Sequence, residues 1–411
     1  MNRAKVSRFF SFWFGLSGLL AFVGLYFSIS LMWIGLVFFF LSGLSLAISS
    51  QNWNWLSRNP LFAPMMVLAV SMCASIVLAP PYPFKVALGK ITLPLVTFLF
   101  AWLFSRQRKA QRILLQISIF LSFLFSLISV SQGIGLFQTY LPGLNPYLYP
   151  LPHDSNLYLA VGFTRHHTTF GFTLLFLFHV LFAHGVLANE PREKVLFFLA
   201  SVASVIGILF TFSRGVWLSL ILSSCLVLVL VNWKRLLFML VGLTGVLTTA
   251  FLTIPAFQTR VASFRLAENQ ERFALWSVCW KMFQSSPWFG QGYDSFGYRF
   301  PLFSDLHLSS PSTPLDPHNM YLEFLATSGI FGFLCFLFFL GSCFRFVLGG
   351  AKKSDSLPRK AWFLASVGVL SSFSVGGFFD RYFDMPHTLV PTLLLLGLCT
   401  AARLDETVAD L

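Results

Sequence analysis

The sequence predicts an all-α polytopic membrane protein of about twelve transmembrane helices, with one large outward-facing (periplasmic) loop between helices 9 and 10. Three observations predict it. The 411 residues are 56% hydrophobic and 10% charged, with 51 Phe, a balance far more apolar than a water-soluble domain tolerates. The apolar residues come in runs close to the ~20 that a helix needs to cross a bilayer core. The basic residues fall in small clusters on every second segment between those runs, as they do on the cytoplasmic side of membrane proteins.

In chain order the expected spans are 9 to 27, 30 to 49, 61 to 79, 91 to 105, 113 to 132, 168 to 187, 195 to 212, 216 to 231, 236 to 254, 320 to 346, 361 to 379 and 388 to 402. Phe9 to Ser49 is too long for a signal-peptide core and reads as an uncleaved helical hairpin. Two outward segments are long enough to fold. The first, 133 to 167, is rich in Pro and Tyr and reads as an irregular cap on the membrane surface. The second, 255 to 319, contains Phe273, Trp276, Trp280 and Phe283 at helical spacing, a stripe expected to face the membrane or the bundle. The whole chain, 1 to 411, is read as one integral membrane domain, and it carries no internal repeat.

The formal charge of +13 does not imply nucleic-acid binding, because the basic residues form no single patch. The clusters at Arg3, Lys5 and Arg8, at Arg106, Arg108, Lys109 and Arg112, at Arg192 and Lys194, at Lys234 and Arg235, and from Lys352 to Lys360 place both termini in the cytoplasm. Of the cysteines, Cys73, Cys225, Cys335, Cys343 and Cys399 lie in apolar spans, so no disulfide framework follows.

Few ionisable residues lie where chemistry could use them. A charge within a span costs about 2.5 to 3.5 kcal/mol at mid-bilayer, so Arg214 between two apolar helices requires a reason. Its planar fork suits a phosphate or diphosphate; the competing role is an anchor reaching lipid headgroups. His318 precedes a long apolar run at a helix start, where the positive helix end disfavours imidazolium. It is expected to stay neutral near pH 7, either as a base taking a proton from a hydroxyl or as an interfacial cap. Asp316 or Asn319 are the residues at hand to orient it.

Arg272 and Arg265 are read as solvated partners of Glu268 and Glu271 or, for Arg272 beside the aromatic stripe, as an anion contact. Arg165 is a further outward cation. His166 and His167, with His179 and His184 beyond them, lack the spacing of a metal motif, so no metal and no cofactor are expected. Asp380, Arg381, Asp384 and His387 read as a polar turn. With no P-loop, no GxGxxG and no metal-binding DxD pair, any transfer must draw on an activated donor already in the membrane.

Three stretches carry a resemblance. Phe212-Ser213-Arg214-Gly215-Val216-Trp217 resembles an SRG motif. Arg272 to Trp276, with Pro287 to Gly292, is similar to an RxxxW...PxxGxG segment. Pro317-His318-Asn319-Met320-Tyr321-Leu322, running to Gly329-Ile330-Phe331-Gly332, resembles an HNxxL...GxxG motif. In this order they resemble the O-antigen ligase and polymerase superfamily over roughly Val195 to Phe346, and most closely its ligases. The N-terminal half matches only in its hydrophobic spans and Arg165.

The resemblance implies a metal-independent inverting glycosyltransferase in the bacterial inner membrane, with its site facing the periplasm. The implied donor is an undecaprenyl-diphosphate-linked glycan, and the implied acceptor is the lipid A core, as in lipopolysaccharide biosynthesis. Arg214, Arg272 and Arg165 would bind the diphosphate and His318 would be the general base. Polymerases of a second repeat unit and protein O-oligosaccharyltransferases share the same motifs. A secondary transporter or flippase is the expectation from another class, since about twelve spans also suit transporters.

Overall fold

The computed structural model describes residues 3–27, 29–50, 58–91, 93–106, 108–136, 150–151, 154–164, 166–232, 267–304 and 316–409, with isolated positions between 234 and 258. The described chain is helical almost throughout. Its helices are α1 Arg3–Phe27, α2 Ile29–Ser50, α3 Phe62–Leu78, α4 Lys85–Ile91, α5 Leu93–Arg106, α6 Arg108–Gly133, α7 His167–Leu187, α8 Pro191–Phe210, α9 Arg214–Val231, α10 Ala267–Ser285, α11 Phe296–Phe303, α12 Met320–Lys353, α13 Leu357–Gly376 and α14 Pro386–Ala409.

Eleven of the twelve expected spans coincide with helices, and the remaining one, 236 to 254, lies outside the described residues except for isolated helical positions. Five helices, from Lys109, His167, Pro191, Arg214 and Met320, are long and apolar enough to cross a membrane, and shorter apolar helices accompany them. The first outward segment differs from the irregular cap expected: β1 (Pro150–Leu151) pairs antiparallel with β2 (Asp154–Tyr158).

Helix α7 is the centre of the bundle, packed by α6, α8, α9, α13 and α14. Its window of highest hydropathy is 89% buried, which requires apolar residues on every side, and Phe172, Leu174, Leu175, Phe176 and Leu177 supply them. Small residues let the helices close in without a hydrophobic drive between them. A Cβ on Gly368 of α13 would stand 2.3 Å from Nδ1 of His179 on α7. His179 Nε2 in turn meets Ser223 Oγ of α9 at 2.7 Å and Ser372 Oγ of α13 at 3.0 Å, so a buried histidine ties three helices together. Helices α1 and α2 pack on each other and turn Phe12, Trp13, Phe38 and Ile48 outward, a surface suited to lipid and costly in water.

The segments without basic clusters gather at one end. Gln132 of α6 accepts the backbone N–H groups of Val161 and Gly162 at 3.0 and 2.8 Å. Tyr82 donates its hydroxyl to Tyr293 O at 2.6 Å, and Met320 N–H donates to Gly377 O at 2.7 Å. The beginnings of α7, α9, α12 and α14 therefore converge with the ends of α3, α6, α8 and α13.

Helix α12 is broken at Gly329, where φ is 67° and ψ is −174°. The break exposes backbone groups that an unbroken helix would have paired, and inside a bundle each needs a partner. The turn from Pro287 to Gly292 provides them. Ile330 N–H donates to Pro287 O at 2.8 Å and Phe331 N–H to Trp288 O at 3.3 Å, while Ala326 O and Thr327 O accept from Gln291 and Gly292 at 3.2 and 2.9 Å. A Cβ on Gly290 would lie 2.4 Å from Thr327 O, and one on Gly329 2.4 Å from Trp288 O, so the glycines of the two motifs permit one backbone to lie on the other.

Helix α10 rests on this unit with Leu275, Val278, Cys279 and Met282 packed against Phe296, Phe300 and Ala326. Of the two orientations expected for the aromatic stripe, membrane-facing or bundle-facing, the bundle-facing one is not taken by Phe273 and Trp280. Phe273 and Trp280 point away from the protein, because the aliphatic face meets α11 and α12.

Candidate functional site

His318 sits on a non-helical step just before α12, with φ of 48°. A side chain in this left-handed region costs energy and persists only where its surroundings hold it. Four contacts do so. Asp316 Oδ1 accepts the His318 N–H at 3.0 Å, closing a local turn. Asn319 Oδ1 caps α12 by accepting the N–H groups of Tyr321 and Leu322, both at 3.1 Å. Trp276 Nε1 donates to Pro317 O at 3.0 Å, and Met320 is pinned to Gly377 O. Asn319 is therefore the helix cap, and Asp316 is the orienting neighbour.

The ring presents Nδ1 to two carboxylates, Asp316 Oδ1 at 3.1 Å and Asp380 Oδ1 at 3.6 Å. Two acceptors on one side place the proton on Nδ1 and leave the lone pair on Nε2. Among the described residues no hydrogen bond engages Nε2, and the half-exposed ring gives it access to a ligand. Asp380 belongs to the turn between α13 and α14 and is 1% exposed. It accepts the Thr168 hydroxyl and, at 2.9 Å, the Arg381 N–H, and His166 Nδ1 stands 3.8 Å away. Burial alone would raise the Asp380 carboxyl, but His318, His166 and Thr168 outweigh burial and hold it well below the usual carboxylate range.

The same contacts bear on the titration of His318. Its pKa is raised above the ordinary imidazole value, chiefly by Asp380, with burial opposing, the charge of Asp316 adding and Arg272 opposing. Two carboxylates within 4 Å outweigh the helix end. Arg272 is thus within electrostatic reach of His318, one helical turn before the Trp276 that holds Pro317.

Arg214 is the first residue of α9, half-buried after Phe212 in the left-handed region with φ of 49°. Gly215 explains where it points the helix start. A Cβ there would come 2.8 Å from Cβ of Phe379, so only glycine lets α9 begin against the turn that carries Asp380. His167 Nδ1 meets Thr211 O at 3.1 Å on the same side. The structure therefore assembles Arg214, Arg272 and His318 at one end of the bundle with Asp380, Thr168 and His166. Arg165 lies outside the described residues; its neighbour His166 is part of the group.

A second charged cluster adjoins the first. Lys90 pairs with Asp294; Arg381 pairs with Asp294 at 3.3 Å, with Glu323 at 3.6 Å and with Asp384 at 3.8 Å; Tyr293 donates its hydroxyl to Asp384 at 2.6 Å. Burial raises the Asp294 carboxyl, Asp384 adds to the rise, and Lys90 and Arg381 lower it. The cluster fixes α4, the start of α12 and the Asp380 turn relative to one another.

Two sets have the donor atoms for a cation, each within 4.8 Å: Asp316, His318 and Asp380, and Asp294, Glu323 and Asp384. The second already encloses Lys90 and Arg381, whose charges compete for the same oxygens. In the first, Asp380 already accepts from Thr168 and Arg381, although one imidazole and two carboxylates are a chemically reasonable donor set for a transition metal.

A search of curated proteins finds no match for this chain. A family profile described as O-antigen ligase matches residues 199–337. That segment holds Arg214, Arg272, His318 and the paired glycine turns, while His166, Thr168 and Asp380 lie outside it. Over residues 199–337, about a third of its length, this chain is similar to the O-antigen ligase family.

Proposed function

We propose that the protein is an inverting glycosyltransferase of the O-antigen ligase type, moving a glycan from undecaprenyl diphosphate to the lipid A core in the periplasmic leaflet of a bacterial inner membrane. Both termini are then cytoplasmic, in keeping with the basic clusters, and the large loop, 255 to 319, is a periplasmic lid. The observation that supports this reading best is His318, with Nδ1 held by Asp316 and Asp380 and Nε2 open, beside cations on two helices.

In this reading Nε2 of His318 takes the proton of an acceptor hydroxyl as its oxygen attacks the anomeric carbon. The bond from that carbon to the diphosphate oxygen breaks, with inversion at carbon. Arg214 and Arg272, with Arg165, stabilise the charge that develops on the departing diphosphate. The resulting imidazolium is stabilised by Asp316 and Asp380 until its proton is released. The diphosphate is already a good leaving group, so the reaction needs neither nucleotide nor metal.

Acceptors of the polymerase and protein O-oligosaccharyltransferase branches fit the same chemistry. The break in α12 is the feature that favours a transporter, since transporters bind ions at broken helices. Here the backbone groups freed by the break pair with residues 287–292, which opposes that reading. The test is purified protein with an undecaprenyl-diphosphate glycan and three candidate acceptors, without nucleotide and with chelator. Transfer to lipid A core supports the proposal; transfer only to a second repeat unit or a protein replaces the acceptor; no transfer removes the enzyme reading.

A further inference from the structure

A cavity of about 650 Å³ opens at the end of the bundle opposite His318. It is bounded by Pro60 and Pro64 of the α3 approach, by one face of α12, and by Phe363 of α13. Along α12 that face reads Phe338, Ser342, Arg345, Phe346, Gly349, Gly350, Lys353, with steps of three or four residues that stack the side chains in one stripe. Its lining thus combines phenyl rings, small residues and two cations.

Two features identify what the cavity would take. The first is depth. Arg345 lies twenty-five residues beyond Met320, about 38 Å along the helix at 1.5 Å per residue. The hydrocarbon core is about 30 Å thick, so Arg345 and Lys353 lie beyond it on the side of the far leaflet's headgroups, with Phe346 and Phe363 at their level and Phe338 two turns below Arg345 toward acyl-chain depth. The second is charge. Among the described residues neither Arg345 nor Lys353 has a carboxylate partner. The adjoining sequence adds Arg58, Lys352, Arg359 and Lys360 against Asp355.

We infer that this cavity binds an anionic phospholipid, with the phosphate between Arg345 and Lys353, beside Phe346 and Phe363, and an acyl chain running down past Phe338. A bound lipid would bridge α3, α12 and α13, and so brace the helix whose other end carries His318. The glycines provide the control. A Cβ on Gly350 would meet the Phe363 ring at 2.2 Å, whereas one on Gly349 meets nothing within 4 Å. Gly349→Phe should therefore fill the cavity without disturbing the packing, and Arg345→Gln with Lys353→Gln should remove its charge.

The experiment is native mass spectrometry and thermal unfolding of the purified full-length protein in detergent, titrated with phosphatidylglycerol, phosphatidylcholine or inorganic phosphate. The expected result is retention of phosphatidylglycerol at least tenfold above phosphatidylcholine, with a matching rise in Tm. Inorganic phosphate should give no shift. Both variants should elute as the wild type does and lose the preference. Equal retention of the two lipids, an equal shift from inorganic phosphate, or an undiminished preference in folded variants would overturn the inference.

Discussion

Asp380 and His318 belong to different helix connections, yet the buried carboxylate of one stands 3.6 Å from Nδ1 of the other. The turn after α13 thus sets the proton position on the histidine before α12, and Thr168 and His166 of the α7 start support that turn in the same place. In the proposed reaction Asp380 acts through His318 and not on the substrate.

Asp380→Asn should therefore lower kcat with little change in the KM for donor. General-base catalysis is worth about 10²- to 10⁴-fold, and misplacing the ring proton should forfeit at least the lower figure. Steady-state kinetics with the purified variant check this, and a change confined to KM would instead assign Asp380 to substrate binding.

The pH profile has a definite sign. His318 has a raised pKa, so its base form appears only at a pH above that of an ordinary imidazole, and activity should rise with pH on an acidic limb displaced upward. Asp380→Asn should move that limb to lower pH. Stability follows the same groups in opposite directions. The His318 contribution is full below the imidazole value of the unfolded chain and is lost as pH rises through the folded pKa; the Asp380 contribution is present above the unfolded carboxylate value and lost as pH falls through its depressed one. Rate profiles and thermal unfolding between mildly acidic and mildly alkaline pH measure both.

Arg214→Ala and Arg272→Ala should each abolish or strongly reduce transfer while leaving the protein in the membrane. Hydrogen bonds to charged groups are worth about 1.5 to 3 kcal/mol, roughly 10- to 150-fold in kcat/KM. Lysine at either position should restore only part, because it lacks the planar fork. Transfer assays on membranes with matched protein levels provide the measurement.

Gly329→Ala should destabilise the protein without touching His318. The backbone there has φ of 67°, and an added Cβ would press on Trp288 O at 2.4 Å. A side chain forced into this region costs on the order of 1 to 3 kcal/mol before any clash is counted. A lowered Tm in detergent is the expected outcome.

The apolar helices were legible because runs of near-membrane length and low polarity mark each of them in the sequence. Arg214, Arg272 and His318, the residues of the proposed site, stand out in the sequence because each lies in a short motif. Asp380 was not. Read locally, it is one member of a polar turn with Arg381 and Asp384, and nothing in the sequence says that α12 begins beside it. The signal that was available is an acid immediately past an apolar span, next to a position, Phe379, against which Gly215 must close. The helix end beside His318 is visible in its own sequence, whereas of the two carboxylates that raise its pKa, Asp316 comes from the local turn and Asp380 from a remote one. The stripe on α10 left its facing open between membrane and bundle; packing decides it, since the large rings Phe273 and Trp280 mark the outer face and the smaller Leu275, Val278 and Met282 make the packed one.

The central claim is that His318 is the base of a metal-free glycan transfer. It is tested most directly by single-turnover transfer from an undecaprenyl-diphosphate glycan to lipid A core in the presence of chelator, comparing the purified protein with His318→Ala. Transfer by the wild type and none by the variant, with donor still bound by both, is the predicted result; near-normal transfer by the variant, or loss of wild-type transfer to the chelator, would contradict it.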